Sequence, residues 1–221
     1  PLGFVVARLN DVAPDGSSVR IAHGMLNLCH RDSMEHPAAM PVGQEVEVEV
    51  VIDQMAYRLA PGHRLRVALS TTYWPFVWPS PKAAVLVVTA GQLVLPVHAG
   101  SDAEWDAPPP RHAPPLALHE LRPPKARRVI EEDMLAGTRT LVVETDEGRY
   151  ENLSHGLISD ETLVERWEIK PDDPLSARAT HVWEQKRARG AWNIRTRAEA
   201  EMTATETGLR MVARLTAWEG D

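Results

Sequence analysis

Apolar and polar residues alternate with a period of two along most of this chain, and helical periodicity is scarce. Gln44 to Asp53 shows it best: Val46, Val48 and Val50 fall on one side and Glu45, Glu47 and Glu49 on the other, which predicts a half-buried strand. Leu65, Val67 and Leu69 alternate with Arg64, Arg66 and Ala68 in the same way, so Arg64 to Thr71 is expected to be a strand entered from the Pro61-Gly62 turn. Pro14-Asp15-Gly16 separates Phe4 to Val12 from Val19 to Cys29 and predicts a hairpin, since proline presets φ and glycine accepts positive φ. A second hairpin is expected for Ala84 to Thr89 and Gln92 to Val97 around Ala90-Gly91.

The C-terminal part keeps the period but lengthens the runs. Arg139 to Thr145 and Arg149 to Ile158 flank Asp146-Glu147-Gly148, which reads as a hairpin turn, and Leu163 to Lys170 follows Ser159-Asp160-Glu161. Ala177 to Lys186 and Ala191 to Thr203 surround Arg189-Gly190, and Leu209 to Trp218 follows Glu206-Thr207-Gly208. Trp192, Ile194, Thr196, Ala198, Ala200 and Met202 share one face of their run. Alanine and glutamate also favour helix there, but two-residue alternation over eleven positions outweighs propensity. The expectation is an all-β chain: an antiparallel jelly roll or β-sandwich, then an antiparallel meander.

Composition adds a boundary. Ala107 to Pro124 holds seven prolines in eighteen residues, which favours extended, semi-rigid geometry. The expected organisation is therefore a β-sandwich over residues 1–106, a linker over 107–124 and a second antiparallel domain over 125–221. Phe4, Val5, Val6 and Leu9 already read as strand, with neither a basic leader nor a small-residue cleavage site before them. The chain is thus expected to begin inside a domain.

Charge and cysteine content narrow the function. A formal net charge of −7 gives no electrostatic footprint for nucleic acid or an anionic membrane. No apolar run reaches the ~20 residues that cross a bilayer as a helix. One cysteine, Cys29, precludes an internal disulfide and fits a reducing, cytoplasmic setting.

Catalytic motifs are missing from these residues. No Gly-x-Ser-x-Gly elbow occurs, and Gly16-Ser17-Ser18 and Gly100-Ser101-Asp102 lack its second glycine. Ser-x-x-Lys and His-Glu-x-x-His are also absent, and His23, His30 and His36 match no ligand spacing. Glu131-Glu132-Asp133 and Asp172-Asp173-Pro174 lack the alternating ligands and turn glycine of a calcium loop and read as solvated turns. No catalytic, cofactor-binding or metal-binding residue is assigned, and no cofactor is expected.

Tyr73, Trp74, Phe76 and Trp78 are the one candidate for recognition. Four aromatics in six residues, among Pro75, Pro79 and Pro81, are too many for a solvated loop. They either close an end of the sandwich or a domain interface, or line a pocket or stacking platform.

These residues also carry a resemblance. FVVARLND (Phe4 to Asp11), Pro14-Asp15-Gly16, His23-Gly24 with Leu26, and YRLAPGHRLRV (Tyr57 to Val67) with Ser70 and the aromatic-proline loop resemble the C-terminal non-catalytic domain of X-prolyl dipeptidyl-peptidases and cocaine-esterase-like acyl hydrolases. The match covers roughly residues 1 to 100. Residues 125–221, with Asp173-Pro174-Leu175-Ser176-Ala177 and the Trp192 strand, resemble the extra β-domain that follows the jelly roll in some members.

The resemblance implies a galactose-binding-like jelly roll lacking its first strands, and a serine hydrolase of esters or peptide bonds, including dipeptidyl-peptidase activity, whose triad lies in a preceding α/β-hydrolase domain. That domain would be the partner, a small ester or peptide the substrate, and Tyr73, Trp74, Phe76 and Trp78 a pocket or interface element. An open sheet edge would allow a homo-oligomer. A carbohydrate- or ligand-binding module with an aromatic platform, and a self-associating structural domain, are the alternatives.

Overall fold

The computed structural model describes residues 2–98 and 107–220. Ten strands form two antiparallel sheets, and a single turn of 3-10 helix at Leu28–His30 is the one helical element among the described residues. The chain is all-β, as the alternation predicts. No helix here is long and apolar enough to cross a membrane.

The first sheet has three strands in the order β2-β1-β3: β1 Phe4–Val12, β2 Ser18–Asn27 and β3 Arg64–Ser70. β1 lies in the centre and is the most buried element, with Val6 and Leu9 fully buried and Ala7, Asn10, Asp11 and Val12 nearly so. The Pro14-Asp15-Gly16 hairpin forms as expected: Gly16 has φ +87° and Ser17 N donates to Asp15 Oδ1 at 2.9 Å.

Two expected pairings do not form. Residues 44–60 contain no regular strand, although Val46, Val48 and Val50 are half-buried while their glutamates are exposed. Alternation chooses which side faces inward, but a strand also needs a partner backbone in register. This segment instead reaches β2 through one backbone bond, Asp53 N to His23 O at 2.9 Å. Ala84 to Thr89 and Gln92 to Val97 are likewise irregular, and Val85, Val87 and Val94 are largely exposed. Their apolar residues occupy both sides of the run, which leaves no single face to direct pairing.

The second sheet has seven strands: β4 Leu118–Arg122, β5 Lys125–Asp133, β6 Thr138–Asn152, β7 Leu157–Lys170, β8 Asp173–Arg189, β9 Trp192–Ala204 and β10 Leu209–Glu219. The order is β10-β9-β8-β7-β6-β4, with β5 also on β6. β4 falls within the proline-rich stretch 107–124 and pairs with β6.

Asp146-Glu147-Gly148 is a bulge inside one fifteen-residue strand, not a hairpin turn. Asp146 Oδ1 accepts from Gly148 N at 2.9 Å and Gly148 has φ +85°. Turns and bulges use the same local chemistry, which is why the sequence does not separate them. Glu131, Glu132 and Asp133 lie on β5 instead of in a solvated turn; the two glutamates pair with Arg127, Arg166 and Arg139.

The register sorts this sheet into two unlike faces. Ile130, Leu141, Trp167, Ala179, Met202 and Met211 stand side by side across six strands, as do Ala126, Thr145, Leu163, Trp183, Ala198 and Leu215. The opposite face carries cross-strand ion pairs: Arg178 with Glu201 at 2.6 Å, Arg197 with Glu184 at 2.7 Å and Arg127 with Glu144 at 3.1 Å. Such exposed pairs each contribute only about 0–1 kcal/mol, so the apolar face dominates packing.

Candidate functional site

Asp11 is a carboxylate in the interior of the first sheet, and the Tyr57 to His63 segment supplies its partners. Tyr57 Oη donates to Asp11 Oδ2 at 2.6 Å, and His63 Nδ1 donates to Asp11 Oδ1 at 2.8 Å. The Tyr57 bond, with the His63 bond and charge, holds the Asp11 carboxyl below its ordinary range against the opposing effect of burial. The same bond raises Tyr57 above the usual phenol range. Pro61-Gly62 makes the geometry possible, because Gly62 at φ +81° turns His63 back towards β1. The YRLAPGHRLRV motif holds Tyr57 and His63 close in sequence, but their common target lies 46 residues from Tyr57.

His23-Gly24 answers to a second close approach. A Cβ on Gly24 would lie 2.0 Å from the carbonyl oxygen of Val51, so only glycine lets the 51–53 segment rest on β2. The neighbouring His23 Nδ1 meets Asp53 Oδ2 at 3.2 Å.

The aromatic loop after β3 divides into two pairs. Tyr73 and Phe76 stack at 5.1 Å and 18° beside His23, with the guanidinium of Arg8 5.4 Å and that of Arg20 5.7 Å from the Tyr73 ring centre. Phe76 is 60% exposed, so this pair forms a cationic and aromatic surface. Trp74 and Trp78 point elsewhere, edge to face at 5.1 Å and 79°. Trp74 meets Trp167 of β7 at 5.9 Å, and Trp167 meets His181 of β8 at 4.8 Å. The loop therefore touches both sheets.

Trp74 and Trp78 are half-buried and nearly perpendicular, unlike the coplanar exposed pair that a sugar-stacking platform needs. Their Nε1 atoms and Ser80 Oγ are buried without a hydrogen-bond partner among the described residues. No group of three or more histidine, cysteine, aspartate or glutamate side chains there converges on a position that could hold a metal ion. Gly100-Ser101-Asp102 lies outside the described residues.

Residues 3–109 match the family described as X-Pro dipeptidyl-peptidase C-terminal non-catalytic domain. That part of the chain is similar to this family. The matched residues take in all of the first sheet, the Asp11 cluster and the aromatic loop. Cocaine esterase of Rhodococcus sp. (strain MB1 Bresler) is 29% identical over 69 residues, which is 31% of this chain and 12% of the esterase. The chain thus aligns with a small part of that relative's length. No solved structure matches it. Within the matched residues, Asp11, Gly24, Tyr57, Gly62 and His63 hold segments together.

Proposed function

We propose that this chain is the C-terminal β region of a serine hydrolase acting on ester or peptide bonds, without activity of its own, and that it packs on an α/β-hydrolase domain. The observation that carries the reading is the match of residues 3–109 to a non-catalytic domain. The Tyr73–Phe76 stack flanked by Arg8 and Arg20 is the proposed docking surface: an exposed aromatic beside cations fits an apolar patch rimmed by carboxylates. Trp74 and Trp78 are assigned to the joint with the second sheet instead of to a substrate pocket. The proposed division is a first domain over 1–106 and a second over 125–221, with β4 of the intervening 107–124 stretch paired into the second sheet. The lone Cys29 fits a cytoplasmic setting.

The reading is tested by assaying the purified chain against p-nitrophenyl esters with a serine-directed inhibitor as control. Turnover at the buffer rate is expected, and inhibitor-sensitive turnover would overturn it. In a polypeptide that also carries the hydrolase domain, Phe76→Glu should lower the melting point of that domain. An unchanged melting point removes the docking surface.

A further inference from the structure

The two edges of the second sheet are built differently. β5, on one edge, has six charged residues in nine, KARRVIEED, several of them locked in ion pairs: Glu131 with Arg127 and Arg166, Arg127 with Glu144, Glu132 with Arg139. Charge of this density protects an edge from accepting another strand. β10, on the other edge, has three charged residues in eleven, LRMVARLTAWE, with no proline and an unbroken register against β9. Leu209, Met211 and Leu215 are 60%, 72% and 71% exposed. One edge is defended and the other is open.

We propose that β10 pairs antiparallel with β10 of a second copy of this chain, about a two-fold axis through Ala213, joining two seven-stranded sheets into one. Self-pairing follows from the edges: head-to-tail association would press β10 against the charged β5 edge, while a two-fold uses the apolar edge twice and closes at a dimer. The axis follows from side-chain chemistry. A two-fold antiparallel pair sets residues of one face opposite each other. Centred on Ala213, it places Met211 opposite Leu215, Leu209 opposite Ala217 and Ala213 opposite itself, all apolar and all on the face that carries Trp167 and Trp183. On the other face Val212 meets Arg214 and Arg210 meets Thr216. Shifting the axis to Arg214 sets two guanidinium groups directly opposite, which is destabilising. Shifting it to Leu215 sets Met211 against Glu219. The Ala213 register is the one that covers the exposed apolar side chains without opposing like charges, and it extends the apolar face across the dimer.

Sedimentation equilibrium of the unmodified chain is expected to show a dimer; a monomer at every soluble concentration overturns the proposal. Register is read by single cysteines, since directly opposed Cα atoms lie about 4.5–5.5 Å apart, within disulfide range. Ala213→Cys should form a covalent dimer on mild oxidation, with the unmodified chain as the control for Cys29. Arg214→Cys and Leu215→Cys should not, and crosslinking of either in place of Ala213→Cys overturns the register. The joint replacement Met211→Lys with Leu215→Lys, at exposed positions that leave the fold intact, should raise the dissociation constant about tenfold or more. An unchanged constant with an unchanged circular dichroism spectrum would place the contact elsewhere.

Discussion

Tyr57 Oη donates a 2.6 Å hydrogen bond to Oδ2 of Asp11, joining an irregular segment to the central strand of the first sheet across 46 residues of chain. His63 closes on the other carboxylate oxygen at 2.8 Å. Residues 57–63 are therefore held by polar contacts where no strand pairing holds them.

This arrangement predicts acid sensitivity. Asp11 is held below its ordinary pKa, so its contribution is fully present above the unfolded carboxylate value of about 3.9 and is lost as pH falls through the lower folded value. Tyr57→Phe should destabilise the chain at neutral pH, and the gap from wild type should narrow as pH drops below about 4. Urea midpoints across that range check it, and a gap independent of pH contradicts it.

Gly62 has φ +81°, with Pro14 Cγ 3.6 Å from where a Cβ would lie. The space is ordinary, so backbone strain sets the cost. Gly62→Val should cost about 1–3 kcal/mol, read from urea denaturation. An unchanged midpoint would show that the turn relaxes.

Gly148 combines positive φ with crowding: a Cβ there would lie 2.7 Å from Arg122 O and 3.0 Å from Pro124 N. Gly148→Ala should cost about 1–3 kcal/mol or more and weaken β4 pairing first. Hydrogen exchange at Leu118–Arg122 rising ahead of β7 and β8 would show that order.

The Trp74–Trp167 contact predicts energetic coupling between the sheets. A double-mutant cycle with Trp74→Ala and Trp167→Ala should give about 0.5–1.5 kcal/mol beyond burial. Additive effects would mean that the rings touch without stabilising each other.

The sequence makes the class of fold legible because strand period shows in local order. The β1–β2 hairpin, β3, β9 and β10 coincide with runs of alternation and glycine turns, whereas the β6–β7 turn at 153–156 falls inside the expected strand Arg149 to Ile158, and Ser159-Asp160-Glu161 lies within β7. Pairing is less legible. Val46, Val48 and Val50 face inward as expected, yet among the described residues no neighbouring backbone completes a ladder with them. Trp192 reads as a core residue from its face but is 42% exposed, because it begins β9 beside the Gly190 turn. The aromatic cluster after β3 is visible as a cluster, but its division towards two sheets depends on where β1 and β7 lie in space. The Asp11 cluster is the same kind of case, since nothing local to Tyr57 or His63 names a partner on β1.

β6 serves two neighbours at once, β5 before its bulge and β4 after it, while Arg122 of β4 binds Asp146 at the bulge and Asp160 of β7. The covalent link at Pro123-Pro124 is consequently redundant for holding this corner. A protease that nicked the chain there would leave two fragments that migrate as one particle until denatured.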